Sequence, residues 1–278
     1  MTLPTAHLRA GADKRRIGAC FAAAAASYDH AAALQREIGL ALLDELSGHA
    51  AMPPGGRCLD LGCGTGFILD QLAARGVAVR DLLGADLALP MLEQGRRRQP
   101  GARWLCADAE RLPFNDRSFG LIISNLAVQW LDGLERFLAE AARTLRPGGW
   151  LAFTTLGSQT LAEFERLCRD VAQPSRVNRF ITKDKLKASL ARAPLRLEAQ
   201  RRSRHVRCYP SAWALMRELK QLGAHHLAYP MHPQPHARAA GLGGRAGLVA
   251  LERLAGLRYP EGVPASYDTH FIILRKPG

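Results

Sequence analysis

The chain has no run approaching the roughly 18 uncharged apolar residues needed to cross a bilayer, and its amino terminus carries no signal-peptide pattern. The alanine run Ala22 to Ala26 is short and leads into Ser27, Tyr28, Asp29 and His30, so it reads as helix, and a cytoplasmic location is expected. There is no Cys-x-x-Cys pair. The six cysteines, Cys20, Cys58, Cys63, Cys106, Cys168 and Cys208, are scattered through apolar or strand-like stretches, which argues for reduced thiols rather than zinc or a redox centre. Aromatics are scarce at 6%. That disfavours an enzyme acting on nucleic acid, which needs stacking positions interleaved with positive charge. Acidic residues are outnumbered, 25 against 38 Lys and Arg. A net charge of +13 favours acidic partners without choosing among nucleic acid, anionic membrane and acidic protein.

What is present is an ordinary globular composition, 47% hydrophobic and 23% charged over 278 residues, enough for one α/β domain with additions. Apolar positions Ile17, Phe21, Leu34, Ile38, Leu42 and Leu43 recur at helical spacings and predict two helical stretches between Asp13 and about Leu46. Met52 to Gly56 then breaks the pattern. From Arg57 onward strand and helix signals alternate, which predicts βαβ units and a mostly parallel sheet with flanking helices, a Rossmann-like fold. The expected strands are 57–61, 81–85, 102–106, 119–124 and 150–156; the expected helices are 65–75, 88–98, 131–145 and 159–171. After Gln173 the alternation weakens. The reading there is a substrate cap over 173–260, with helices near 183–191 and 211–222 and an arginine-rich strand at 197–208. The stretch 261–278 regains strand character and is expected to return to the core, giving an organisation of 1–54, 55–172, 173–260 and 261–278.

The segment Asp60-Leu61-Gly62-Cys63-Gly64-Thr65-Gly66 joins a buried strand to a helix, and glycines at alternate positions let backbone approach a ligand closely. A dinucleotide loop would follow G-x-G-x-x-G and place diphosphate on the helix amino terminus. Here the spacing is G-x-G-x-G, and Asp60 would repel diphosphate while suiting a ligand with a cationic amino group. Asp86 ends the next strand, where a carboxylate can take both ribose hydroxyls. Asp108 follows the third strand and can receive an adenine amino group, with Ala109 beside it. Taken singly, each aspartate could be a helix cap. As a set they occupy the edge where open α/β sheets bind ligands.

These residues resemble the class I S-adenosylmethionine-dependent methyltransferases. The general part of the resemblance is Asp60 to Gly66, Asp86, Asp108-Ala109-Glu110 with Leu112-Pro113-Phe114, and Leu145 to Gly149. A more specific part resembles the malonyl-acyl-carrier-protein O-methyltransferases of biotin synthesis: Phe21 through Tyr28-Asp29 to Gln35, Ser124 to Trp130, Phe153 to Leu156, Val177 to Phe180, and Met216 to His226. The segment Glu261 to Tyr267 also looks like a related group of complex I assembly factors that modify an arginine, which are less similar over Ser124 to Trp130. A methyltransferase for another small carboxylate is a further alternative. The resemblance implies S-adenosylmethionine as cofactor, no metal, and an acidic acyl-carrier protein bearing the malonyl thioester. It places Asp60, Gly62, Cys63, Gly64, Gly66, Asp86, Leu87, Asp108, Ala109 and Asn125 at the cofactor, and Tyr28, Asn125, Gln129 and Trp130 at the methyl-transfer point. Trp130 has core packing as its alternative role, Gln129 helix capping and Tyr28 packing. His225 and His226 lack metal-ligand companions and read as structural or substrate-lining. The basic set Arg201, Arg202, Arg204, Arg207, Arg217 and Lys220 is either a solvated face or the place where the carrier docks.

Overall fold

A continuous apolar stretch can become a strand when both faces of its sheet are covered, and Cys58–Leu61 (β1) is buried along its whole length. A computed structural model of the chain describes residues 7–50, 56–172, 177, 178, 180–224 and 245–278. Two helices, His7–Ala31 (α1) and Ala33–Ser47 (α2), precede β1; they are followed by Phe67–Ala74 (α3), Leu82–Asp86 (β2), Leu89–Arg98 (α4), Arg103–Cys106 (β3) and Phe119–Ser124 (β4). Then come Leu134–Thr144 (α5), Leu145–Leu156 (β5), Ala162–Asp170 (α6), Lys183–Arg192 (α7), Arg196–Tyr209 (β6), Ala212–Gln221 (α8), Arg245–Arg258 (α9) and Val263–Arg275 (β7).

The strands form one sheet in the order β3-β2-β1-β4-β5-β7-β6. Strands β1 to β5 are parallel, and β7 runs antiparallel to both β5 and β6. The order reverses between β1 and β4, so the first crossovers leave a crevice at the carboxyl ends of these two strands. Ser124 Oγ donates to the Leu61 carbonyl at 2.8 Å and ties the two strand ends together there. On one face, helix α5 presents Leu134, Phe137, Leu138 and Ala141, a 3-1-3 spacing that puts all four on the buried side. On the other, α2 buries Leu34, Ile38, Leu42, Leu43 and Leu46.

Several boundaries differ from the expected ones for local reasons. Gly66 adopts φ 89°, which delays α3 to Phe67. Val128–Trp130 forms a separate 3-10 turn, so α5 starts at Leu134. The fifth strand takes in Leu145 to Gly149 and reaches back to the end of α5, with a register shift against β4.

The larger correction concerns the arginine-rich strand. It does not lie in a cap: β6 is the edge strand of the central sheet, paired with β7 from Arg196 to Tyr209. Its arginines are not a free basic face either. Arg201 pairs with Glu45 at 2.6 Å, Arg202 with Asp268 at 2.6 Å, Arg204 with Glu163 at 2.7 Å and Arg207 with Glu37 at 2.5 Å. These contacts fasten α2 and α6 to the sheet edge. Only Arg217 and Lys220 of the basic set stand exposed on α8 without an ion pair among the described residues. Residues 225, 226 and 179 lie outside the described residues.

Candidate functional site

The loop after β1 is built to bring backbone close to a ligand. Gly62, Gly64 and Gly66 have φ of 71°, 51° and 89°, and the Gly62 and Cys63 N–H groups both donate to the Ala85 carbonyl, at 2.7 and 3.1 Å. At Gly62 even a methyl group would overlap the Ala127 Cβ. This contact seats the glycine loop against the segment that leaves β4.

Above the loop lies a cavity between the strand ends and α1. Its floor includes Gly62, Gly64, Asp86 and Leu87; one wall is Ser124 to Val128 with Trp130; Ala107 and Ala109 close the far end. Its roof is α1, through Ile17, Gly18, Phe21 and Tyr28. Phe21 and Trp130 meet edge to face with ring centroids 5.4 Å apart. At the carboxyl end of α1, Asp29 accepts from Thr65 Oγ1 at 2.7 Å and from Arg98 at 3.0 Å.

The acidic residues differ sharply in environment. Asp60 is 1% exposed, and neither of its carboxylate oxygens has a hydrogen-bond partner among the described residues. Burial, reinforced by the charge of Asp86, pushes its carboxyl well above the ordinary range. Asp86 is better served: it accepts from Gly64 N at 2.9 Å and Ala88 N at 2.8 Å. Burial still raises its carboxyl, with those N–H bonds opposing. Burial likewise raises the Tyr28 phenol, helped by Asp86, Asp29 and Asp60. An unpaired buried carboxylate is expensive to keep; Asp60 itself does not line the cavity but lies two residues before Gly62, which does.

Among the residues singled out from sequence, Tyr28, Asn125, Trp130, Gly62, Gly64, Asp86, Leu87 and Ala109 line the cavity. Gln129 stands beside it, its Nε2 donating to the Leu126 carbonyl at 2.6 Å while its Oε1 is buried without a partner among the described residues. Cys63 is buried in the loop, its thiol raised by burial and by the charges of Asp60 and Asp86. Gly66 packs against the Trp104 ring. Asp108 turns to the rim, where it borders an adjoining open groove with Lys14, Arg15 and Leu89.

Lys14 was not anticipated. Its Nζ donates to both oxygens of Asp108 at 3.0 and 2.8 Å, pairs with Glu110, and lies 3.8 Å from Asp132. Burial lowers its ammonium, but the bonds to Asp108 and Glu110 outweigh that and hold it above the usual lysine value. A single lysine 94 residues from its partner leaves no local pattern to find. Because charge-assisted hydrogen bonds contribute about 1.5–3 kcal/mol, Lys14→Met is expected to loosen the amino-terminal part of α1. Hydrogen exchange of the α1 amides should accelerate by about one to two orders of magnitude while the sheet stays protected. Unchanged α1 exchange would show that the apolar roof contacts suffice.

Among the described residues no cluster of His, Cys, Asp and Glu is arranged to hold a metal ion, and no helix is long and apolar enough to cross a membrane.

Residues 59–153 match the family model described as a methyltransferase domain. The sequence is 43% identical to the malonyl-[acyl-carrier protein] O-methyltransferase of Methylococcus capsulatus, over 77% of this chain and 78% of the relative. It is 37% identical to the protein of that name from Hahella chejuensis, over 96% and 92%. It is also 38% identical to a biotin biosynthesis bifunctional protein of Cellvibrio japonicus over 97% of this chain, which spans only 52% of that longer relative. Among solved structures, a Bacillus halodurans protein proposed to be a methyltransferase superposes with a TM-score of 0.58 at 16% identity, over 85% of this chain and 99% of that one. At that identity the likeness speaks for the fold.

Proposed function

The chain belongs to the malonyl-acyl-carrier-protein O-methyltransferase family of S-adenosylmethionine-dependent enzymes, and from that membership we propose that it methylates the free carboxyl of a malonyl thioester held by an acyl-carrier protein. The product is a malonyl methyl ester. Masking the charge lets the acyl group pass through chain extension as an alkyl end, the logic that puts such an enzyme at the start of biotin synthesis.

The observation that carries the cofactor part of this reading is the buried carboxylate of Asp60 at the end of β1, without a hydrogen-bond partner among the described residues and two residues before Gly62 of the cavity lining. A diphosphate-bearing cofactor would be repelled by Asp60; one with an ammonium group and a ribose diol suits Asp60 and Asp86 together. Asp60 would receive the ammonium and Asp86 the ribose hydroxyls. The Ala109 backbone, which lines the cavity, would take the adenine edge, Asp108 being held at the rim by Lys14, and Gly62, Gly64 and Leu87 would supply close backbone and apolar walls. Bound there, S-adenosylmethionine supplies a methyl group made electrophilic by its sulfonium.

The remaining work is alignment. A malonyl carboxyl is ionised at pH 7, since free carboxyls titrate near ~4, so no general base is required. Tyr28, held neutral by burial, would donate a hydrogen bond without competing as a nucleophile. Asn125, Gln129 and Trp130 would orient the carboxylate, and the Phe21–Trp130 pair would keep water from the transfer path. Proximity of this kind contributes up to about 7–11 kcal/mol.

Incubation with methyl-labelled cofactor tests the reading. Label should pass to a malonyl-loaded carrier and not to an acetyl-loaded one, which offers no carboxylate. Equal labelling of both, or of neither, contradicts it.

A further inference from the structure

Asn125, Leu126 and Ala127, the residues that follow β4, form one wall of the cavity. Leu126 stands at φ 51°, in the left-handed region that a bulky side chain enters only when its surroundings force it. The Leu126 N–H is met there by the hydroxyl of Thr154, on the neighbouring strand β5 and fully buried. That hydroxyl accepts from the Leu126 backbone N–H at 2.9 Å and donates to Asn125 Oδ1 at 2.8 Å. Asn125 Nδ2 donates in turn to the Gln35 carbonyl of α2 at 2.8 Å. The wall is therefore pinned from β5 on one side and α2 on the other, while Ala127 bears on Gly62.

A threonine that only completed a buried hydrogen bond would need one partner. Thr154 uses its hydroxyl as donor and acceptor at once, and both partners belong to the same strained turn. It does not itself line the cavity. We propose that Thr154 is a positioning residue for methyl transfer: its hydroxyl locks the Asn125–Leu126 turn in the one conformation that presents Asn125 and the Ala127 backbone to the reacting groups. The inference rests on the methyl-transfer reading above. Without the hydroxyl, the turn has every reason to relax toward negative φ, which swings the Asn125 amide away from its partners.

The test is a comparison of wild type with Thr154→Val, which keeps the shape and removes the hydroxyl, and Thr154→Ser, which restores it. Thr154→Val is expected to lower kcat by about 10- to 100-fold, with the cofactor Kd and the KM of the malonyl carrier moving less than about threefold; Thr154→Ser should recover most of kcat. If Thr154→Val does not fold, Thr154→Cys serves instead, because a thiol is a poor donor and acceptor, and the same split between kcat and Kd is expected. A kcat within twofold of wild type, a kcat loss matched by an equal rise in cofactor Kd, or a serine variant as slow as valine overturns the proposal. Failure of the wild type itself to methylate the malonyl carrier would instead overturn the underlying reading.

Discussion

Replacing Asp60 with Asn is expected to abolish tight S-adenosylmethionine binding while making the ligand-free protein more stable. The carboxylate is buried with neither oxygen partnered among the described residues, and burial followed by the charge of Asp86 holds its carboxyl well above the ordinary range. Folding therefore places an uncompensated acid in the interior, and the isosteric amide removes the penalty of burying the charged form. The ligand-free Asn variant is expected to melt above wild type. Cofactor binding moves the other way, because losing one partner of a buried charge pair costs about 2–5 kcal/mol, or roughly 30-fold to several thousandfold in Kd.

The pH dependence has a definite sign. For an acid whose folded value is raised, the folded state binds its proton more tightly than the unfolded chain does. Asp60 therefore lowers the stability of the free protein as pH climbs from about 4 toward the raised folded value. Binding of a cationic cofactor expels that proton, so affinity should fall as pH drops below the raised value, and this dependence should vanish in Asp60→Asn. Calorimetric titration in two buffers of different ionisation enthalpy reads the released proton directly. An Asn variant that binds the cofactor as wild type does would remove Asp60 from the site.

Gly62→Ala should be nearly as damaging, through the backbone. The residue sits at φ 71°, which costs an L-residue roughly 1–2 kcal/mol, and the new methyl group would overlap the Ala127 Cβ, with overpacking adding about 1–3 kcal/mol. Neither neighbour can yield easily, since the Gly62 N–H is bonded to Ala85 and Ala127 follows the pinned Leu126 turn. The expected result is a melting temperature lower by about 5–15 °C and cofactor affinity reduced more than tenfold. Gly76→Ala is the control: φ is 91°, yet nothing lies within 4 Å of the added carbon, so only the conformational cost should appear. Equal effects at the two positions would mean that the contact with Ala127 does not matter.

The centre of the molecule was readable because its signals are local. The apolar run of β1, the glycines at alternate positions behind Asp60, and acids at the ends of β2 and β3 each show within a few residues, and Phe119–Ser124 was placed at its actual bounds. The edge of the sheet was not readable. β6 alternates arginine with small and polar residues on both faces, a pattern suited to an exposed edge strand but lacking the hydrophobic alternation that marks sheet membership. Its carboxylate partners at Glu37, Glu45 and Glu163 lie on distant helices, so the stretch looked like an uncompensated basic surface. Lys14 and Thr154 escaped for a related reason. Each matters through partners 94 and 28 to 29 residues away, and no spacing rule connects a lone lysine or threonine to them.

The most direct measurement of the central claim is mass spectrometry of a malonyl-loaded acyl-carrier protein after incubation with the enzyme and S-adenosylmethionine. The acyl group on the carrier's prosthetic arm should gain one methyl, esterase treatment should remove it, and Asp60→Asn should leave the carrier unmodified. A methyl that resists esterase, or that appears on an arginine side chain or a nucleic-acid base while the malonyl group stays free, would contradict the account.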